Sequence, residues 1–212
     1  MISGTIYGVV LNDRSERTEL AEAFEAPPYK APPQAPVLYI KPRGCLASDG
    51  AVVRLDPDLE IVEAAATIGL LFDKDVSRCA PADALAHVSA ACLALDVTEP
   101  HASYYRPVVR QRCRDGFLPL GQLAPFKPEL LHGEIVTLVN GQEAHRWSPK
   151  ALVLDPAALI SEISAFMTLA AGDLLLIGLP FQAPRVRAGD TISVRAEGLS
   201  ALNASFARET TS

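Results

Sequence analysis

The sequence predicts one α+β domain that is dominated by β-structure. Its 17 prolines and 13 glycines recur along 212 residues and interrupt the chain too often for a helical bundle. Several short apolar runs are typical of strands, whereas only two stretches favour a helix. Apolar residues make up 49% of the chain, enough for a sizeable core, and the length suits a single domain over 1–212.

The first part of the chain is predicted to hold two strands around an arm. Residues 2–11 and 37–41 are apolar and are predicted as strands. Residues 12–36 begin with charged side chains and continue into a stretch with five prolines, so they cannot form one regular element. We expect a surface loop or a lid there, since long irregular segments often carry function.

The middle of the chain is predicted to form a hairpin, a strand and a helix. Residues 45–55 suggest a hairpin that turns at Asp49-Gly50. Residues 62–72 form an apolar run whose Gly69 and following turn favour a strand. Residues 81–94 favour a helix, with a proline in the first turn and Ala, Val and Leu on one face.

The last part of the chain predicts a further hairpin, a helix and two strands. An Asn-Gly turn lies within residues 133–147, between two alternating strands. Residues 155–172 predict a helix with Asp155 as the N-cap and a glycine stop. Residues 173–180 and 190–199 are predicted as strands.

Charge and hydropathy restrict the classes of partner. The net charge is -6 and no basic run exceeds two residues, which argues against nucleic acid and anionic membranes. No apolar run reaches the roughly 18 residues of a membrane span. The first 11 residues lack the pattern of a secretory signal, so we expect a cytoplasmic protein.

Two acidic residues and an arginine cluster are candidates for chemistry. Glu63 lies in an apolar strand, where a carboxylate is costly to bury unless it is paired or binds metal, although it could also face solvent. Asp96 follows the predicted helix, where it could instead be an ordinary turn residue. The arginine cluster of 104–114 suits a ligand that carries carboxylates, unless it is a solvated loop.

The two candidate carboxylates predict a site that binds a hard divalent cation. Two carboxylates from separate elements suit Mg²⁺, which leaves its other positions to water and substrate oxygens. The four histidines are scattered, without spacing for a zinc site. The sequence also lacks a P-loop, a GxGxxG and a GxSxG motif.

Five segments together resemble the fumarylacetoacetate hydrolase family. They are EAAATIG, LALDV, YYRP with CRDGFLPLG, HGEIVTLVNGQ and ISEISAFMTLAAGDLLLIGLP, and the likeness covers residues 2–200. The N-terminal stretch is similar to one subgroup, the N-terminal half or separate first subunit of the bifunctional isomerase/decarboxylases of 4-hydroxyphenylacetate (homoprotocatechuate) degradation.

The resemblance implies a mixed β-sandwich roll, a Mg²⁺ or Mn²⁺ site and an oxo-dicarboxylate substrate. It implies decarboxylation of 5-oxopent-3-ene-1,2,5-tricarboxylate, isomerisation of 2-hydroxyhepta-2,4-diene-1,7-dioate, or both, through a dienolate that the metal stabilises. It also suggests pairing of two such domains, as a homodimer or with a paralogous second subunit.

Carried over to this sequence, the family's metal ligands are incomplete. Glu63 and Asp96 take two ligand positions, but the third is held by Ile61, which cannot bind metal. Glu60 is adjacent but would point to the opposite face of a regular strand unless a bulge turned it. Metal binding is therefore expected to be weak.

The resemblance also assigns catalytic and substrate-binding residues. Lys41, Arg112, which takes the place of an active-site lysine, and Glu19 of the lid are implied as catalytic, while Glu16 takes the position of a lid histidine. Substrate contacts are expected from Tyr105, Arg114 and Asp115. Two hypotheses remain open: the chain is an enzyme with an altered site, or it is a degenerate subunit that stabilises a catalytic paralogue.

Overall fold

The computed structural model describes residues 2–101 and 103–209. Its strands are β1 (Ile6–Val10), β2 (Val37–Lys41), β3 (Leu46–Ser48), β4 (Ala51–Leu55), β5 (Val62–Phe72), β6 (Val88–Thr98), β7 (Leu118–Leu120), β8 (Ala124–Pro125), β9 (Ile135–Val139), β10 (Gln142–Trp147), β11 (Leu174–Leu176), β12 (Arg185–Val186), β13 (Thr191–Ala196) and β14 (Leu202–Arg208). Its helices are α1 (Arg14–Glu19), α2 (Ala21–Glu25), α3 (Pro81–Ala84), α4 (Val109–Arg112) and α5 (Pro156–Ser164).

Within the described ranges these strands form a large and a small sheet that pack as a sandwich. The large sheet has the order β2-β1-β11-β5-β6-β7-β3, with β12 beside β5 and β8 beside β6. The small sheet has the order β10-β9-β13-β14-β4. The predicted class, α+β and mostly β, is confirmed.

The long strands β5 and β6 form the centre of the large sheet, and both of their faces are buried. They pair antiparallel, from Glu63 opposite Thr98 to Phe72 opposite Val88. Alternate residues of a strand face opposite sides. Leu93 and its neighbours on one face join the main core, in which side chains from both sheets pack together, while the other face belongs to a second core within the large sheet.

The large sheet curls until its edge strand β2 meets β6. Three strands separate β2 from β6 in the sheet order, yet Nζ of Lys41 lies 2.9 Å from the carbonyl oxygen of Val97. Gly8 makes room for this curl, because a Cβ there would lie 2.0 Å from the Tyr39 ring. The curl brings side chains from distant parts of the sequence together at one end of the second core.

The helix predicted over 81–94 is wrong for most of its length. Only Pro81–Ala84 is α-helical, and the chain from Val88 onward is the central strand β6. A strand buried on both faces has a continuous apolar sequence, which periodicity cannot distinguish from a buried helix. Asp96 therefore lies on a strand, not at the end of a helix.

The two predicted hairpins differ in outcome. The Asn140-Gly141 hairpin is confirmed, with positive φ at both turn residues (51° and 81°) and antiparallel pairing of β9 with β10. Gly50 also has a positive φ, but the strands on either side of it separate. β3 pairs with β7 in the large sheet and β4 with β14 in the small sheet, so this turn carries the chain between sheets.

The remaining predicted elements are confirmed with changes in length. Residues 62–72 form β5, as predicted. Asp155 caps α5 by accepting from the backbone N–H of Ala158 at 2.9 Å, but the helix ends at Ser164, before the predicted stop. The predicted arm, 12–36, contains two short helices, α1 and α2. None of the helices in the described ranges has the length and hydropathy needed to cross a membrane.

Candidate active site

A cavity of about 250 Å³ lies where β5 begins and β6 ends. Helix α1 contributes one wall and the segment 179–185 contributes another. The polar and charged side chains of its lining include Glu16, Glu63, His101, Tyr104, Arg112 and Arg185. This combination of acids, arginines and a histidine makes the cavity the candidate active site.

Asp96 lies beside this cavity with a fully buried side chain, and protein donors occupy both of its oxygens. Oδ1 accepts a hydrogen bond from Nη1 of Arg112 at 2.8 Å and lies 3.2 Å from Nζ of Lys41. Oδ2 accepts a hydrogen bond from the hydroxyl of Tyr39. Two cations therefore surround one carboxylate in a site without solvent access.

Lys41 is also fully buried and does not line the cavity. Its ammonium donates to the carbonyl oxygens of Val97 at 2.9 Å, Arg112 at 2.6 Å and Phe117 at 2.9 Å. Burial lowers the pKa of Lys41, and the neighbouring carboxylate of Asp96 opposes that shift. Through these three hydrogen bonds Lys41 stabilises the curled edge of the large sheet. The geometry therefore favours a structural role for Lys41 over the predicted catalytic one.

Arg112 connects the buried cluster to the cavity. Arg112 is 2% exposed, and its guanidinium carbon lies 4.5 Å from the centroid of the Tyr39 ring. Nη2 is 3.5 Å from Nε2 of His101, and Nε has no hydrogen-bond partner in the described part of the chain. Burial lowers the pKa of Arg112, but the carboxylate of Asp96 and the hydroxyls of Tyr39 and Tyr104 together outweigh burial, so the net shift is upward. Arg112 therefore presents a permanent positive charge with unused donor capacity.

The ring of His101 lies beside the guanidinium of Arg112. Its Nδ1 lies 3.2 Å from the carbonyl oxygen of Ser103, which can only accept, so we assign the proton to Nδ1. Nε2 then has the free lone pair that faces Arg112. Burial, together with the nearby guanidinium, lowers the pKa of His101. The lowered pKa favours the neutral ring, whose Nε2 is directed at the guanidinium of Arg112.

Glu16 is the acid that helix α1 brings to the cavity. Asp13 caps this helix, with its carboxylate accepting from the backbone N–H groups of Ser15 and Glu16. The hydroxyl of Tyr104 donates to Oε1 of Glu16 at 2.7 Å. Burial raises the pKa of Glu16, and the Tyr104 hydrogen bond opposes the shift only in part. Glu19, the predicted lid acid, is exposed on the same helix and does not line the cavity.

Glu63 faces the cavity from the start of β5 and already has a cationic partner. Arg185 of β12 is its cross-strand neighbour, and it donates from Nε and Nη2 to Oε1 of Glu63 at 3.1 and 3.0 Å. Glu60 and Ile61 precede β5 and are exposed. Glu60 and Ile61 both lie outside β5, so the bulge in this strand that could have turned Glu60 towards the site is not present.

The three residues predicted to bind substrate lie outside this cavity. Tyr105 is 56% exposed. Arg114 is engaged by Asp56 and by Glu99, the latter at 3.1 Å. Asp115 is exposed. Tyr105, Arg114 and Asp115 are therefore not among the residues that line the candidate active site.

The residues present do not fit a Mg²⁺ or Mn²⁺ ion. Glu63 and Asp96 are on the same sheet face, because Asp96 pairs with Ala65, two residues from Glu63. Each of these carboxylates, however, is bound by basic side chains. Across residues 2–101 and 103–209, no three side chains of His, Cys, Asp or Glu come together as a metal-binding group.

Sequence reasoning missed Tyr39, His101 and Arg185. Tyr39 precedes Lys41 by two residues on a strand, so their shared face was visible in the sequence. Arg185 reaches Glu63 only through the pairing of β12 with β5, which no local pattern indicates. His101 lies in an irregular segment, where periodicity carries no information.

The comparisons with known proteins agree with the fold. The pattern of the family described as fumarylacetoacetate (FAA) hydrolase C-terminal matches residues 5–207. The 4-hydroxyphenylacetate degradation bifunctional isomerase/decarboxylase of Salmonella dublin is 39% identical over 201 residues, which are 95% of this chain and 46% of that protein. The chain thus spans about half the length of this curated relative.

Two solved structures show the same architecture. The 5-carboxymethyl-2-hydroxymuconate delta-isomerase of Mycobacterium smegmatis has a TM-score of 0.84 at 23% identity, over 100% of this chain and 81% of that one. The fumarylpyruvate hydrolase of Pseudomonas aeruginosa, in complex with Mn²⁺ and pyruvate, has a TM-score of 0.81 at 22% identity, over 97% and 90%. At these identities the likeness concerns the fold alone. The match over nearly the whole sequence and the shared curled sandwich confirm the resemblance, and the chain belongs to the fumarylacetoacetate hydrolase family.

Proposed function

We propose that the chain acts on an oxo-dicarboxylate of 4-hydroxyphenylacetate catabolism. The reaction is decarboxylation of 5-oxopent-3-ene-1,2,5-tricarboxylate, isomerisation of 2-hydroxyhepta-2,4-diene-1,7-dioate, or both. Similarity to a relative named for this pathway supports the substrate class. One observation carries the chemistry: a single cavity joins the buried guanidinium of Arg112 to Glu16, an acid whose pKa is raised by burial.

Both candidate substrates match the charges of this cavity. Each has carboxylates at both ends and an oxo or enol group beside one of them. Arg112 and Arg185 supply cations on the cavity wall, and the planar guanidinium matches a carboxylate with two parallel hydrogen bonds. Tyr104 and His101 add polar groups to the same wall.

The two reactions share a dienolate. In the decarboxylation, the bond to the departing carboxylate breaks and its electron pair moves through the neighbouring double bond to the oxo oxygen, releasing CO₂. In the isomerisation, the enol gives up its O–H proton to solvent and the same type of anion forms. In both reactions an acid of the cavity then adds a proton to carbon, and solvent reprotonates that acid, so neither reaction needs an oxidant or a reductant.

Side chains of this protein can both stabilise the dienolate and deliver the proton to carbon. Arg112 can donate hydrogen bonds where negative charge develops on the oxo oxygen, which stabilises the dienolate. Glu16 retains its proton to higher pH than an exposed glutamate, so it can deliver that proton to carbon. Leu20, Ala65 and Leu179 make part of the wall apolar, which limits the access of water to the anion.

Turnover by the purified chain tests the proposal. The chain is incubated with each substrate in turn, and the ultraviolet absorbance of the conjugated dienol is recorded over time. We expect the change in absorbance to show which reaction occurs. Arg112→Gln should lower the rate by about tenfold or more, given the 1.5–3 kcal/mol of a charge-assisted hydrogen bond. Arg110→Gln is the matched control, because Arg110 lies exposed on the same helix. Equal rates for both variants would contradict the role of Arg112.

A second candidate function is that of a non-catalytic subunit. The observation that favours it is the saturation of Asp96 and Glu63 by basic side chains, together with Ile61 at a ligand position. In this hypothesis the chain stabilises a catalytic paralogue and turns over neither substrate alone. A rate that appears only in a mixture with that paralogue, and that is unchanged by Arg112→Gln, would favour this function.

Pairing with a second domain is proposed for both functions. Ile40, Tyr105 and Val109 are 54%, 56% and 62% exposed, and they lie around an apolar groove between the edge strand β2 and helix α4. Light scattering is expected to give a particle larger than the 22.6 kDa of one chain. Val109→Asp should shift it towards a monomer, whereas Val52→Asp, at an exposed valine of the small sheet, should not. A wild-type monomer at micromolar concentration would contradict self-pairing.

A further inference from the structure

The charges around the candidate ligand positions are arranged for an anion. Lys41 and Arg112 surround Asp96, and Arg185 is paired with Glu63. Three cations therefore oppose two carboxylates, which leaves an excess of one positive charge before Glu16 is counted. A divalent cation placed among these groups would be repelled by the three cations, whereas a carboxylate would be attracted.

Asp96 cannot release an oxygen to a metal without exposing another charge. Its Oδ1 is shared by Lys41 at 3.2 Å and Arg112 at 2.8 Å, and its Oδ2 by the hydroxyl of Tyr39. Asp96, Lys41 and Arg112 are buried, so breaking either ionic contact leaves an unpaired cation in a site that water does not reach. The arrangement therefore stabilises the ion cluster against metal coordination.

Arg112, in contrast, has capacity for a ligand. Its Nε is buried without a partner in the described ranges, and its Nη2 has only the long 3.5 Å contact with His101. A carboxylate or an enolate oxygen at the cavity would give these donors a charged acceptor. The Tyr39 ring and the carboxylate of Asp96 both contact the guanidinium and hold it in place before a ligand binds.

We infer that Arg112 takes the electrostatic role of a divalent cation in this chain, so that a 2-oxo-carboxylate binds in the cavity without metal. The inference rests on the proposed function and deepens it, because it names the group that holds the oxo-carboxylate end of the substrate. It also makes Asp96 a positioning residue for Arg112, not a metal ligand.

Calorimetry with 2-oxoadipate as an unreactive probe tests this inference. We expect the same dissociation constant in buffer with EDTA and in buffer with MnCl₂, and no heat of binding when MnCl₂ alone is titrated. Binding of the probe only with Mn²⁺ would overturn the inference and leave the proposed function standing. The absence of binding in both buffers would overturn the proposed function, and the inference with it.

Two variants make the test independent of the wild type. Ile61→Glu supplies the third carboxylate, but the cations remain, so we expect it to bind no Mn²⁺ by electron paramagnetic resonance. Stoichiometric Mn²⁺ binding by this variant would overturn the inference, since it would show that only a ligand was missing. Arg112→Gln should weaken probe binding in EDTA by about tenfold or more, while Arg110→Gln should not change it. Equal affinities would remove Arg112 from the binding site.

Discussion

Asp96→Asn is expected to lower the free energy of unfolding by about 3–5 kcal/mol, because it leaves two buried cations without their anion. Lys41 and Arg112 both lie within 3.2 Å of the carboxylate, and none of the three side chains is more than 3% exposed. The amide of asparagine keeps the shape of the side chain and one acceptor, but it loses the negative charge. Denaturation in urea, measured in EDTA, gives the change directly.

Glu63→Gln is the matched control for this prediction. Glu63 was predicted as a metal ligand on the same grounds as Asp96, but its partner Arg185 is 62% exposed in the side chain. Removal of an ion pair that solvent screens should cost less than about 1 kcal/mol. If the two variants lose equal and small amounts of stability in EDTA, Asp96 does not anchor a buried ion cluster.

The fold could be predicted from the sequence where one face of an element differs from the other. The Asn140-Gly141 hairpin alternates apolar and polar residues, and its turn residues both adopt positive φ. Strand β6 carries no such contrast, because Leu93 faces the core between the sheets and Cys92 faces the second core. Its alanine-rich sequence favours a helix locally, and the pairing with β5 overrides that preference.

The site could be predicted only as a set of residue types. Arg112 and Glu63 do line the cavity, as the family resemblance implies. The roles depend on contacts between residues far apart in the sequence. Nothing near Lys41 or Asp96 in the sequence indicates that the curled sheet brings them to 3.2 Å, where each neutralises the other. The same carboxylate also accepts from Nη1 of Arg112 at 2.8 Å, and in the proposed arrangement Asp96 positions this arginine in place of binding a metal.

Glu16→Gln is expected to lower kcat on the proposed substrate by roughly 10²–10⁴-fold, the usual contribution of a positioned general acid. The amide can still accept the hydrogen bond that Tyr104 now donates at 2.7 Å, so the wall of the cavity should be preserved. KM should change little, because Arg112 supplies most of the charge that binds the ligand. Steady-state kinetics with the reactive substrate measures both quantities.

The pH dependence separates an acid from a merely structural glutamate. Because burial raises the pKa of Glu16, the wild-type rate should fall as pH rises through that value, and this limb should be absent in Glu16→Gln. The same shift affects the free energy of unfolding. The contribution of Glu16 to that free energy is fully present below the ordinary glutamate pKa and is lost as pH rises through the raised pKa of the folded state. Glu19→Gln, at an exposed position of the same helix, should change neither profile. If the alkaline limb persists in Glu16→Gln with an unchanged kcat, the proton comes from another group, and the Tyr104–Glu16 pair serves only to hold α1 against the cavity.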